Sequence, residues 1–313
     1  MTKKTFSEML AATVQELRSN GQWGTAHIYK SAGNSFARFA GNETTFNDLT
    51  PELLKHYETY LRGQNRSWNT VSTYMKVIKA VYNKAVDAGE AQYIPRLFRH
   101  VHTSVRTERK KALGCEDAHM LLGQDEHTPS APLPRDLERA KATMRLMFLL
   151  RGIPFVDLAY MRKSDIQGDT LQYRRRKTGR HLNVTLQPEA LRLVKMLSSP
   201  NDRSPYLFPF LQSPEGSEAA YHEYQCALRH FNRQLSTLSQ QSGCSVTLSS
   251  YTARHTWATM AYYCEIHPGI ISEAMGHSSI AVTETYLKPF RDEKIDHANR
   301  QVISYIKRYA AGH

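Results

Sequence analysis

Cysteine is scarce in this chain, and acid is outnumbered by base. The four cysteines, Cys115, Cys226, Cys244 and Cys264, stand far apart with no C-x-x-C pair. Neither a disulfide framework nor a zinc site has support, and a reducing cytoplasm is the expected location. No apolar run is long enough to span a bilayer, and the opening Met1-Thr2-Lys3-Lys4-Thr5-Phe6 lacks the apolar core of a signal peptide. No membrane partner is expected. Phosphate-cradling glycine loops of the Walker or dinucleotide type do not occur, so nothing calls for a nucleotide cofactor. Internal repeats and low-complexity tracts are missing too. Acids number 29 against 41 lysines and arginines, leaving a net charge of +12. That balance implies a partner with excess negative charge, and nucleic acid fits, because a basic surface concentrates phosphate and steers its approach.

What is present organises into two parts. The 313 residues suit two domains, and 41% hydrophobic content supports real cores. Phe6, Met9, Leu10, Val14 and Leu17 recur at helical spacing. Ile28, Phe36 and Phe39 form a second apolar set before Gly41. Thr50-Pro51, a capping residue followed by proline at the first helical position, predicts a helix through Leu54, Tyr57 and Leu61 that ends at Gly63. A longer helix carries Val71, Tyr74, Ile78, Val81, Tyr82 and Ala85, with Gly89 as its stop. Residues 95–113 then turn basic, with Arg96, Arg99, Arg106, Arg109, Lys110 and Lys111 against the single acid Glu108. The boundaries that follow are residues 1–104, a basic linker over 105–112, and residues 113–313; a basic linker is suited to tracking a phosphate backbone.

The second part mixes helix and sheet. After a proline-bearing loop at 127–134, a helix is predicted from Arg135 towards Leu150. Strands are predicted over 170–176 and 181–186, joined by a turn at Lys177-Thr178-Gly179-Arg180. Further helices are expected over Pro188–Leu197, from Ala219 to about Leu238, and from near Ser249. A last amphipathic helix carries Ile295, Ala298, Val302, Ile303 and Ile306 along one side.

The chemistry concentrates between Tyr251 and Tyr286. Tyr251-Thr252-Ala253-Arg254-His255 is followed by Met275-Gly276-His277-Ser278-Ser279, and Tyr286 stands nine positions beyond His277. Cleavage of a phosphodiester by a tyrosine needs a cation for the phosphate, a proton carrier and the phenol. Arg254 can grip phosphate in bidentate fashion. His277 can donate to the phosphate or handle a proton. Tyr286 needs nearby cations, because a phenol near pKa 10 is otherwise a poor nucleophile.

This arrangement resembles the active-site segment of the tyrosine recombinase (phage integrase) family. The resemblance implies a fold that is mainly α with a small β-sheet: an N-terminal SAM-like helical core-binding domain and an α+β catalytic domain, closing as a C-shaped clamp on double-stranded DNA. It implies cutting and rejoining of DNA through a phosphotyrosine link, with Tyr286 as nucleophile and without metal or cofactor. Lys177, at the hairpin tip, would protonate the leaving 5′ oxygen. Arg174, Arg175, Arg176 and Arg180 would contact phosphates or screen charge, as would Arg106, Arg109, Lys110 and Lys111. The C-terminal helix would join protomers into a homotetramer, or pack as a core helix within its own chain.

Two positions depart from the family pattern. Arg151-Gly152-Ile153-Pro154-Phe155-Val156-Asp157 aligns with the segment bearing the family's first arginine, and Pro154 falls where that arginine belongs. Branches of the family that include mobile-element integrases lack it as well. Asp157 aligns with the family's orienting acid. Arg151 is the expected substitute cation and Arg145 the second choice. Tyr251 stands where histidine is usual, in a supporting role, and His255 is expected to pack against a neighbouring helix. Two rival classes fit the same residues: a catalytically impaired DNA-binding regulator, or an enzyme that nicks or relaxes DNA.

Overall fold

The computed structural model describes residues 4–104, 112–123, 133–287 and 292–311. They fall into two compact units, Met1–Glu108 with Gly216–Tyr221 and Arg109–Glu215 with His222–His313. Each unit has its own hydrophobic core. Arg106, Arg109, Lys110 and Lys111, the basic residues of the expected linker, lie outside the described residues.

The first unit contains four helices, α1 (Phe6–Ser19), α2 (Trp23–Ala40), α3 (Pro51–Gly63) and α4 (Trp68–Asp87). Local chemistry sets their starts. Thr5 Oγ1 accepts from the Glu8 amide at 3.2 Å while the Glu8 carboxylate accepts from the Thr5 amide at 2.8 Å, a reciprocal cap. Thr50 Oγ1 accepts from the Leu53 amide at 3.1 Å, with Pro51 in the first turn. Apolar stripes at helical period then meet in a core of Phe6, Phe36, Leu54, Tyr57, Ile78 and Tyr82. Ile28 does not join them and is 43% exposed. It lies eight residues before Phe36, which is about 80° away from whole turns of a helix.

The second unit begins with α5 (Cys115–Leu122), α6 (Arg135–Leu149) and α7 (Phe155–Ala159). An antiparallel sheet follows in the order β1 (Ile166–Gln167), β2 (Thr170–Arg174) and β3 (His181–Thr185). The pairs Leu171↔Val184 and Tyr173↔Leu182 fix the β2–β3 register. Buried Leu171, Leu182 and Val184 share the inward face, as the two-residue period of a strand requires. Then come α8 (Pro188–Leu197), α9 (Glu218–Gln241), α10 (Thr252–Tyr263), α11 (Pro268–Ala274), α12 (Ile280–Glu284) and α13 (Asp292–Ala311).

The expectation of a mainly helical chain with a small sheet is met. The β2–β3 hairpin differs in one respect. β2 stops at Arg174, and the turn spans 175–180, closed by Arg175 N–H to Arg180 O and Gly179 N–H to Arg175 O, both 2.8 Å. Among the described residues no helix is long and apolar enough to cross a membrane.

Candidate active site

The site is assembled around α10. Arg254 projects from its first turn and is 2% exposed. Its Nη1 donates to Gly152 O and its Nη2 to Met275 O, each at 2.8 Å. One guanidinium thus pins the loop after α6 to the end of α11. Gly152 makes the approach possible: it holds φ +68°, and a Cβ there would lie 2.8 Å from Arg254 Cα. Burial and the neighbouring Arg175 guanidinium lower the Arg254 pKa, and a hydrogen bond to the Tyr286 side chain works in the opposite direction.

His277 and Tyr286 meet on the same side. Their ring centroids are 5.0 Å apart with the planes at 22°. Arg254 Cζ lies 5.6 Å from the Tyr286 ring centroid. Thr259 Oγ1, one turn after His255 on α10, donates to the Tyr286 carbonyl at 3.2 Å, so the Tyr286 backbone is tied to the helix bearing Arg254. His277 is 3% exposed. Its Nδ1 is hydrogen-bonded to Thr283 Oγ1 at 2.8 Å, while its buried Nε2 has no partner among the described residues. Burial, followed by the charges of Arg254, Arg175, Lys177 and Arg180, drives the His277 pKa down to about 3. The imidazole is neutral at physiological pH, with one nitrogen held and the other buried without a partner among the described residues.

The hairpin supplies the remaining cations. Thr178 Oγ1 donates to Gly276 O at 3.0 Å, which couples the turn carrying Lys177 to the segment carrying His277. Lys177 and Arg180 are exposed. Arg174 Nε donates to Gly179 O at 2.8 Å, within the hairpin itself. Arg176 is ion-paired with Glu215 and stacks over the Tyr160 ring at 3.8 Å, so its charge is already engaged. Asp157 is buried: it ion-pairs with Arg175 and accepts from the Arg176 amide at 3.0 Å.

Arg175 is 5% exposed and points into the unit. Its parity with Leu171 and Tyr173 was a readable sign of this, because alternate residues of a strand share a face. His255 faces Tyr286, with ring centroids 4.7 Å apart. Its spacing of four from Tyr251 puts both on one helical face, and their rings are 6.4 Å apart.

Tyr251 is 47% exposed at the N-terminus of α10. Arg151 holds φ +57° at the end of α6, and its charge acts on the half-buried Tyr173. Arg145 is ion-paired with Glu189 at 2.5 Å, which commits it to the contact between α6 and α8. Among the described residues no three His, Cys, Asp or Glu side chains gather as metal ligands would.

Comparisons with known proteins agree with this architecture. Residues 5–96 match the phage integrase SAM-like domain, and residues 135–293 match the phage integrase family. No curated protein matches the chain. The Tn1549 transposon integrase, solved in complex with transposon right end DNA, is similar with a TM-score of 0.66 at 12% identity, covering 96% of this chain and 100% of that one. A lambda integrase dimer bound to a COC′ core site gives 0.62 at 15% identity, covering 89% and 75%. A lambda integrase tetramer bound to a Holliday junction gives 0.61 at 17%, covering 92% and 78%. At these identities the likeness is one of fold: a SAM-like helical domain and a tyrosine recombinase catalytic domain.

Proposed function

The chain belongs to the phage integrase family, and from that premise we propose that it is a site-specific DNA recombinase of the integrase or invertase type. The observation that carries this is the convergence of Arg254, His277 and Tyr286 at one place. The Tyr286 phenol loses its proton to solvent and its oxygen attacks the scissile phosphorus, so that a 3′-phosphotyrosine bond forms and the bond to the 5′ oxygen breaks. Lys177 gives that oxygen its proton. Attack by a second 5′-hydroxyl on the phosphotyrosine reverses the chemistry on a new strand and releases Tyr286. The broken diester's energy is kept in the covalent link, so no metal or cofactor is required.

Arg254 answers the charge that builds on the non-bridging oxygens, where preorganised donors contribute most. His277 presents Nε2 to the same phosphate. Its ring lies nearly parallel to that of Tyr286, which favours donation to the phosphate over removal of the phenol proton. Residues 1–104 act as the core-binding domain and residues 113–313 as the catalytic domain, with Arg180 and the linker residues Arg106, Arg109, Lys110 and Lys111 on the DNA backbone. The apolar residues Ile295, Val302, Ile303 and Ile306, exposed on α13, support docking of that helix on a second copy within a tetramer on DNA in the cytoplasm.

The test uses nicked duplexes carrying the sequence that the full-length protein selects from a random pool. A covalent protein–DNA species that survives denaturing gels is expected, and Tyr286→Phe abolishes it. Binding without that species would instead identify a regulator. Strand exchange only between paired sites separates a recombinase from a nicking or relaxing enzyme.

A further inference from the structure

The site has one place without its charge. Pro154 is the N-cap of α7, and its carbonyl accepts from the amides of Asp157 and Leu158 at 3.0 and 3.1 Å. It has no group that could bind phosphate. Its helix nevertheless carries Asp157 one turn on, and this buried carboxylate draws in the Arg175 guanidinium from the end of β2. A cation is therefore brought within a turn of the proline by another stretch of chain.

Arg175 is also held against the catalytic segment. Gly276, at φ +65°, leaves room for it, since a Cβ there would stand 2.8 Å from Arg175 Cγ. The residue that follows is His277. The charge of Arg175 acts on both His277 and Arg254, so it faces the same centre as they do. Among the described residues only its Nη1 is committed, to Asp157. Its Nε is buried with no partner among the described residues, and an unsatisfied buried donor is costly unless a ligand completes it.

We propose that Arg175 is a catalytic cation of this site, donating to a non-bridging oxygen of the scissile phosphate in the role that Pro154 leaves unfilled. The Asp157 pair fixes one edge of the guanidinium and leaves the other for the anion. Arg151, by contrast, emerges from a left-handed residue beside Tyr173, with no contact that fixes it against Arg254, His277 or Tyr286. The proposal rests on the strand-transfer chemistry given above and names a further residue for it.

The experiment compares wild type, Arg175→Ala, Arg175→Lys and Arg151→Ala as full-length proteins. Each meets two nicked duplexes of the selected sequence, one with an ordinary scissile phosphate and one with a neutral methylphosphonate there. On the ordinary duplex Arg175→Ala should form the covalent Tyr286 species about a hundredfold more slowly or worse, the usual effect of losing a donor to developing negative charge. On the methylphosphonate, which carries no charge to neutralise, the deficit relative to wild type should shrink to about tenfold or less. Arg175→Lys preserves a cation beside Asp157 but not the bidentate fork, and should lose about tenfold or more on the ordinary duplex. It carries the test if the alanine variant does not fold.

Arg151→Ala should stay within a few-fold of wild type on both duplexes. An equal deficit for Arg175→Ala on the two duplexes would reduce Arg175 to a positioning residue and overturn the proposal. A charge-dependent deficit in Arg151→Ala, with Arg175→Ala unaffected, would transfer the role to Arg151. Absence of any covalent species from wild type would remove the strand-transfer chemistry itself, an outcome distinct from failure of Arg175 alone.

Discussion

His277 combines burial, a fixed Nδ1 and several neighbouring cations, and its titration reports on all of them. In the unfolded chain an imidazole takes up a proton near pH 6.5, whereas the folded one refuses it until about pH 3. Between those values the unfolded state binds the extra proton, so His277 contributes stability that is present above pH 6.5 and lost as pH falls towards 3. Urea unfolding across that range should show stability dropping with acidification, and His277→Gln should flatten part of the slope. An unchanged slope in the variant would mean that the imidazole titrates normally. The residue pattern from Tyr251 to Tyr286 made Arg254, His277 and Tyr286 legible because their spacing is chemical. Arg175 was read as one of several basic residues, and its parity with Leu171 and Tyr173 was the one sign of an inward face. What set it apart, burial against Gly276 and a pair with Asp157, depends on where β2 ends, and that is decided by the turn and not by composition.

Among the elements, three glycines in the same left-handed region separate backbone strain from crowding. Gly152→Ala would place a Cβ 2.8 Å from the Arg254 backbone, and Gly276→Ala would place one 2.8 Å from Arg175 Cγ, whereas Gly168, at φ +61°, has nothing within 4 Å. All three substitutions cost about 1–2 kcal/mol of conformational strain. Only the first two should also disturb the site. Thermal melts should therefore place Gly168→Ala as the mildest and Gly152→Ala as the most severe, since backbone yields less readily than the middle of a side chain. Covalent-complex assays should find Gly168→Ala with near wild-type activity. Elements with long periodic faces or strong caps, such as α3 with Thr50-Pro51 and α8 with Pro188, were readable from sequence. The short helices α7, α11 and α12, of five to seven residues, were not, because fewer than two turns carry no measurable period. These same short pieces hold Asp157, the approach to His277, and Thr283.

For the whole molecule, the net charge of +12 and the exposed apolar residues of α13 address different partners. In the function proposed above, the charge captures DNA and α13 associates copies. Ile303→Asp combined with Ile306→Asp should leave binding of a single site within a few-fold of wild type. It should sharply reduce complexes that contain two sites, as seen by native gels or light scattering. Equal loss of both would show that α13 is needed for the fold of its own chain instead. The division into a helical unit and a mixed unit followed from the early helical stripes and the later strand pair. The identity of the bases that are read did not follow, because base recognition depends on docking that local pattern does not encode.

The bond from Thr259 Oγ1 to the Tyr286 carbonyl has a consequence for how labour is shared among copies. It fastens Tyr286 to the helix that bears Arg254, so in the proposed chemistry attacking group and anion clamp travel together. On that proposal each copy cuts the strand that it grips itself and borrows no tyrosine from a neighbour. What remains for the assembly is timing and the presentation of a second strand end.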